Sequence, residues 1–185
     1  MSDRFRRLET RIDGLVLIEP RVITDDRGFF FETFRAGEYA ELGVDVPFVQ
    51  DNHSRSVRGT VRALHFQVSP GQAKLVRAAR GAIWDVAVDL RKDSATYGTY
   101  EAFVLSDEDA RQLFVPVGFA HGFCVTSDIA DVAYKVSSYY DGATERGIAY
   151  DDPAIGIAWP VEEPLVSERD QSNPTLAEIA PELPW

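Results

Sequence analysis

The chain has 185 residues and a mass of 20.6 kDa, enough for one domain with a substantial core. Hydrophobic residues make up 45% and charged residues 26%, which argues against disorder, and no apolar run approaches the ~20 residues of a membrane helix. Nineteen basic against thirty acidic residues give a net charge of −11, which counts against a nucleic-acid binder. The N-terminus, MSDRFRRLETRIDG, lacks the apolar stretch of a secretory signal. The lone cysteine, Cys124, can form neither an internal disulfide nor a zinc cluster. A reducing compartment, the cytoplasm, is the expectation.

In chain order the sequence is a series of short β-type runs: GLVLIEP, FFFETF, PFVQDN, TVRALHFQ, KLVRAARG, AIWDVAVDL, YEAFVL, RQLFVP, HGFCVT and ADVAYKVSSYY. Their spacing, with Gly, Pro, Asp or Asn between them, predicts an all-β sandwich or barrel. Helical signals are weak: short turns around Ala36–Leu42, after Ser106 and near Ser172–Ile179. One domain is expected over 1–185. Its N-terminal strands occupy about 14–54, a jelly-roll barrel about 55–140 and a C-terminal wrap about 141–185. Exposed sheet edges make a homodimer plausible.

Charge is unevenly spread. Asp141–Trp185 holds ten acidic and two basic residues, whereas Arg55–Arg80 holds six basic residues (Arg55, Arg58, Arg62, Lys74, Arg77, Arg80) and no acidic one. That cationic stretch suits an anionic small molecule, or a solvated strand face paired with carboxylates elsewhere. Each of the three histidines, His53, His65 and His121, lies in or beside a β-type run. Strict strand alternation places His65 on one face with Ala63 and Gln67, and Arg62 on the other. It also puts Tyr134, Val136, Ser138 and Tyr140 in line. Asp85 and Asp89 are read as structural.

The run PVGFAH, a Pro-x-Gly turn before a strand opening on histidine, is similar to the second motif of the cupin barrels. Where metal-dependent cupins have His-x-His, this chain reads His65-Phe66-Gln67, so the resemblance implies a cupin without its metal. The segments RGFFFETF, FVQDNHSRSVRGTVRALHFQ, KLVRAARGAIWDVAVDLRKDS, PVGFAHGF, YKVSSYY and SERDQSNP together resemble the dTDP-4-dehydrorhamnose 3,5-epimerases from about Gly14 to Pro174. The resemblance implies a cupin-type double-stranded β-helix, a homodimer without cofactor or metal, and a dTDP-4-keto-6-deoxy sugar as substrate. By the same resemblance His65 is the base, Asp170 its orienting carboxylate, Lys74 the stabiliser of enolate charge and Tyr134 the proton donor. Arg27, Glu32, Gln50, Asp51, Asn52, Arg62, His121, Tyr140, Glu145 and Arg169 fall where the family contacts the nucleotide sugar. Ala63 stands where glycine is usual and Arg169 where lysine is common. Competing readings are an epimerase acting at one carbon only, a metal-dependent cupin and a non-catalytic sugar-binding module.

Overall fold

A computed structural model describes residues 3–185. Two antiparallel sheets face each other. The six-stranded sheet runs in the order β1 (Phe5–Leu8), β2 (Val16–Pro20), β10 (Gln112–Val115), β7 (Lys74–Arg80), β12 (Ile129–Val136) and β5 (Gln50–Val57). The five-stranded sheet runs β13 (Glu145–Gly147), β6 (Val61–Gln67), β11 (Phe119–Val125), β8 (Ala82–Asp89) and β9 (Tyr100–Ser106). A separate hairpin pairs β3 (Ile23–Asp25) only with β4 (Gly28–Phe30). This is the expected jelly roll, with β1, β3 and β13 added to the anticipated strands.

Alternating apolar residues of facing strands, among them Val76, Ala87, Leu113, Phe123 and Val132, meet between the sheets. Each sheet is also covered outside. Helix α1 (Ala36–Glu41), whose Tyr39 is fully buried, packs with Phe34 and Phe48 on the six-stranded sheet. Ile148, Ile155, Leu176, Ile179 and Leu183 of the C-terminal segment pack on the five-stranded one. Covering both faces explains why every residue of β11 is buried and why FAHGFCV shows no polar alternation. The C-terminal segment is fixed by two short capped helices, α2 (Glu168–Gln171) behind Ser167 and α3 (Leu176–Ile179) behind a Thr175–Glu178 capping box.

Two expectations are corrected. FFFETF is a strand only through Phe30, and the hairpin that contains it is exposed throughout. β12 ends at Val136, so Ser138 and Tyr140 do not continue the face of Tyr134. There the chain turns aside, with Ser138 Oγ donating to the Gly71 carbonyl at 2.9 Å.

Candidate active site

The inner side of β6 is set by an irregularity. His65 lies opposite His121, but Arg62 lies opposite Phe123, so three steps along β6 match two along β11. The extra residue is a β-bulge. Ala63 and Leu64 both turn into the outer cluster, and Arg62 and His65 share the inner face. This corrects the strict alternation, which grouped His65 with Ala63 and excluded Arg62. Gly122 on the neighbouring strand β11 makes the bulge possible. A Cβ there would lie 2.5 Å from Ala63 Cβ and 2.9 Å from the Arg62 carbonyl oxygen.

His65 Nε2 lies 2.7 Å from Asp170 Oδ1. The imidazole is a quarter exposed, while the carboxylate is buried. The Asp170 amide donates to the Ser167 cap, and the carboxylate also faces the Ala63 amide at 3.4 Å. Burial pushes the Asp170 carboxyl up. The His65 hydrogen bond and charge, with smaller help from Ala63 and Arg169, outweigh that and hold it below the usual range. An ionised carboxylate in this position orients the ring and stabilises the imidazolium formed when His65 takes a proton.

The facing sheet supplies Lys74 and Tyr134. Lys74 is buried, and its Nζ reaches across to donate to the His65 carbonyl at 3.1 Å. Burial pulls its pKa down to about 8, although Glu145 and Asp85 both favour the charged form. Tyr134 sits between Val76 and Asn52 on the neighbouring strands. Burial raises its phenol pKa, Arg62 partly opposes the rise and Glu145 adds to it, so the phenol is protonated at neutral pH.

A second imidazole–carboxylate pair stands beside the first, with His121 Nε2 2.9 Å from Asp85 Oδ2 and both groups buried. Asp85, read as structural, therefore sits among the ionisable groups of the interior, as its place between inward-facing Ile83 and Ala87 could have indicated. At the mouth, Arg169 pairs with Glu145, and the Tyr140 hydroxyl donates to Glu145 at 3.1 Å. Tyr140 thus joins the site from the loop rather than from β12. Its amide donates to Gln50 Oε1 at 3.1 Å, and the Gln50 amide donates to Asn52 at 2.8 Å. Gln67, noted from sequence as the residue in place of a metal-binding histidine, organises this rim. Its side chain faces Ser138 Oγ and the Tyr139 carbonyl, both at 3.3 Å, and accepts from the Asp141 amide at 3.0 Å.

Three anticipated contacts lie elsewhere. Arg27 sits on the exposed hairpin, bonded to Asp25. Glu32 pairs with Arg35 at 2.7 Å. Asp51 pairs with Lys135 at 2.9 Å on the outer face, because alternation along β5 turns it away from Asn52. Among the described residues no three His, Cys, Asp or Glu converge to hold a metal ion. What the barrel brings together is a carboxylate-held imidazole on one wall, a protonated phenol on the other and a buried ammonium between them. That set can remove and return carbon-bound protons beside a carbonyl.

A family model described as dTDP-4-dehydrorhamnose 3,5-epimerase matches residues 9–178. A dTDP-4-dehydrorhamnose 3,5-epimerase of Methanothermobacter thermautotrophicus is 51% identical over 177 residues, covering 94% of this chain and 96% of the relative. A dTDP-4-dehydrorhamnose 3-epimerase of Streptomyces niveus is 45% identical, covering 90% and 82%. The solved structure of a dTDP-6-deoxy-D-glucose-3,5-epimerase from Legionella pneumophila, in complex with dTDP-4-keto-L-rhamnose, superposes with a TM-score of 0.93 at 45% identity, covering 96% of each chain.

Proposed function

The chain belongs to the dTDP-4-dehydrorhamnose 3,5-epimerase family, and from that premise we propose how it works. It is an isomerase that converts dTDP-4-dehydro-6-deoxy-D-glucose to dTDP-4-dehydro-L-rhamnose by inverting C3 and C5. Both carbons flank the C4 ketone, so the same carbonyl acidifies each C–H bond. His65, oriented by Asp170, takes the proton, and the electron pair moves into the carbonyl to form an enolate. The Lys74 ammonium stabilises the oxygen where that charge develops. Tyr134 delivers a proton to the opposite face. The cycle closes when the imidazolium releases its proton and the phenolate regains one, and it then runs at the second carbon.

The observation that carries this reading is the placement of His65–Asp170 and Tyr134 on facing sheets. Inversion needs removal from one face and return to the other, and a sugar held between the walls meets base and acid on opposite sides. Arg62, His121, Asn52, Gln50, Tyr140, Glu145 and Arg169 hold the nucleotide sugar. The working unit is a homodimer in which the hairpin of one protomer brings Arg27 and Glu32 to the site of its partner, and its location is the cytoplasm.

The test is proton NMR of the substrate with the protein in deuterated water, with a reductase trapping the product. Deuterium at C3 and C5 with the L-rhamno configuration is the expected result. Deuterium and inversion at one carbon would convert the reading to that of a single-centre epimerase, at C3 the activity named for the Streptomyces niveus relative. His65→Ala should all but abolish exchange while nucleotide binding persists; unchanged turnover would remove His65 from the role.

A further inference from the structure

Asn173 is out of keeping with its surroundings. Its Nδ2 is the one buried side-chain nitrogen or oxygen among the described residues with no hydrogen-bond partner. A buried amide donor left unpaired is destabilising, so hydrogen bonding does not explain its presence. Its shape does. The side chain lies flat against Gly147, where a Cβ would meet Asn173 Nδ2 at 2.4 Å and its Cγ and Oδ1 at 2.5 Å. Gly147 is the residue opposite His65 on the neighbouring strand. Asn173 itself follows α2, three residues beyond Asp170. Next to it the Pro174 carbonyl accepts from the Ala149 amide at 2.8 Å, which ties this end of the segment to the strand side.

These contacts close a ring: His65 to Gly147 across the ladder, Gly147 to Asn173 by direct packing, Asn173 back along α2 to Asp170, and Asp170 to His65 at 2.7 Å. Helix α2 has only four residues, so its own backbone bonds cannot fix where it lies on the sheet. We propose that Asn173 is a positioning residue, a spacer seated on Gly147 that sets the height of α2 above the five-stranded sheet and thereby the Asp170–His65 contact. The proposal rests on the reading of His65 as base and deepens it. It also gives Gly147 a reason: any larger residue would displace the spacer.

A positioning role and a merely structural one separate in a double-mutant cycle. Removing the spacer lets the carboxylate drift, and displacements on the order of 1 Å at a catalytic group cost up to ~100-fold in rate. Asn173→Ala is expected to lower kcat about tenfold in the wild-type background while KM stays within about twofold. In an Asp170→Asn background, where no carboxylate remains to be positioned, Asn173→Ala should have no further effect on the residual solvent-deuterium exchange. Asn173→Leu keeps the bulk and removes the orphan donor, so it should retain kcat and raise the melting temperature. Gly147→Ala should lose activity and regain part of it when combined with Asn173→Ala. Equal losses in the wild-type and Asp170→Asn backgrounds, or a wild-type kcat for Asn173→Ala, would overturn the proposal. Turnover surviving His65→Ala would instead remove its premise, and the two failures are told apart by that variant alone.

Discussion

Lys74 shows what a single buried charge costs its fold. Its ammonium is buried and its pKa falls to about 8, burial outweighing the favourable charges of Glu145 and Asp85. Below that value the group is the cation that an enolate oxygen requires. As pH rises through about 8 the cation is lost, and kcat should fall with it, read directly from a pH–rate profile. Stability moves the other way. Between about 8 and the ordinary lysine value of 10.5 the unfolded chain holds more protons than the folded one, so this group's contribution to stability improves as pH rises through that window. At neutral pH the buried cation costs roughly 3 kcal/mol. Lys74→Met, of similar volume and uncharged, should therefore melt at higher temperature while turnover drops by ~100-fold or more, since it removes charge stabilisation aimed at the enolate. A Met variant that is both active and unshifted in melting would refute this account. Tyr134→Phe should still exchange the substrate proton into solvent but fail to invert cleanly, which product configuration by NMR would reveal.

At the scale of elements, the bulge in β6 decides which residues share the site, and Gly122 permits it. Gly122→Ala brings a methyl to 2.5 Å from Ala63 Cβ and must push β11 from β6. Overpacking of this kind costs about 1–3 kcal/mol, measurable by urea unfolding, and should also weaken turnover because Arg62 and His65 leave their common face. At the far end of β8, Asp89 is fully buried and accepts from Arg91, Ser94 and Thr96, which staples the turn into β9. Burial pushes its carboxyl up, but these bonds prevail and hold it down at about 2. Its contribution, about 2 kcal/mol, is fully present above the usual carboxylate value and is lost as pH falls through about 2. Asp89→Asn should lose that stability at neutral pH and flatten the acid-unfolding curve in the same range. The strands themselves were legible, because period-2 runs between turn residues dictate a sheet whatever its partners. The bulge was not: RALHFQ reads as an ordinary alternating strand, and only the register against β11 reveals the extra residue. Nor could sequence tell that YKVSSYY leaves the sheet after Val136, since Ser138 is diverted by a carbonyl 67 residues away. The pairing of Asp170 with His65 was legible only through family resemblance, because 105 residues separate them and only the folded chain brings them together.

At the scale of the molecule, the hairpin β3–β4 is the feature that the protomer by itself leaves unexplained. Among the described residues its strands pair only with each other, and Ile23, Phe29 and Phe30 are 56%, 65% and 67% exposed. A lone two-stranded ribbon is at best marginally stable in water, and three exposed apolar side chains on it call for a covering surface. The same hairpin carries Arg27, a residue that belongs by family resemblance to the nucleotide site yet is bonded here to Asp25. A second protomer resolves both facts if the hairpin is covered by, and donates Arg27 to, its partner. Complementation separates this arrangement from one in which Arg27 serves its own chain. Arg27→Ala and His65→Ala homodimers should each turn over poorly. Mixed and allowed to exchange subunits, half the dimers become hybrids, and each hybrid holds one site with His65 from one protomer and Arg27 from the other. Activity should then rise to about a quarter of wild type at equal ratio. If Arg27 acted within its own chain, every site in the mixture would still lack one residue, and no activity would return.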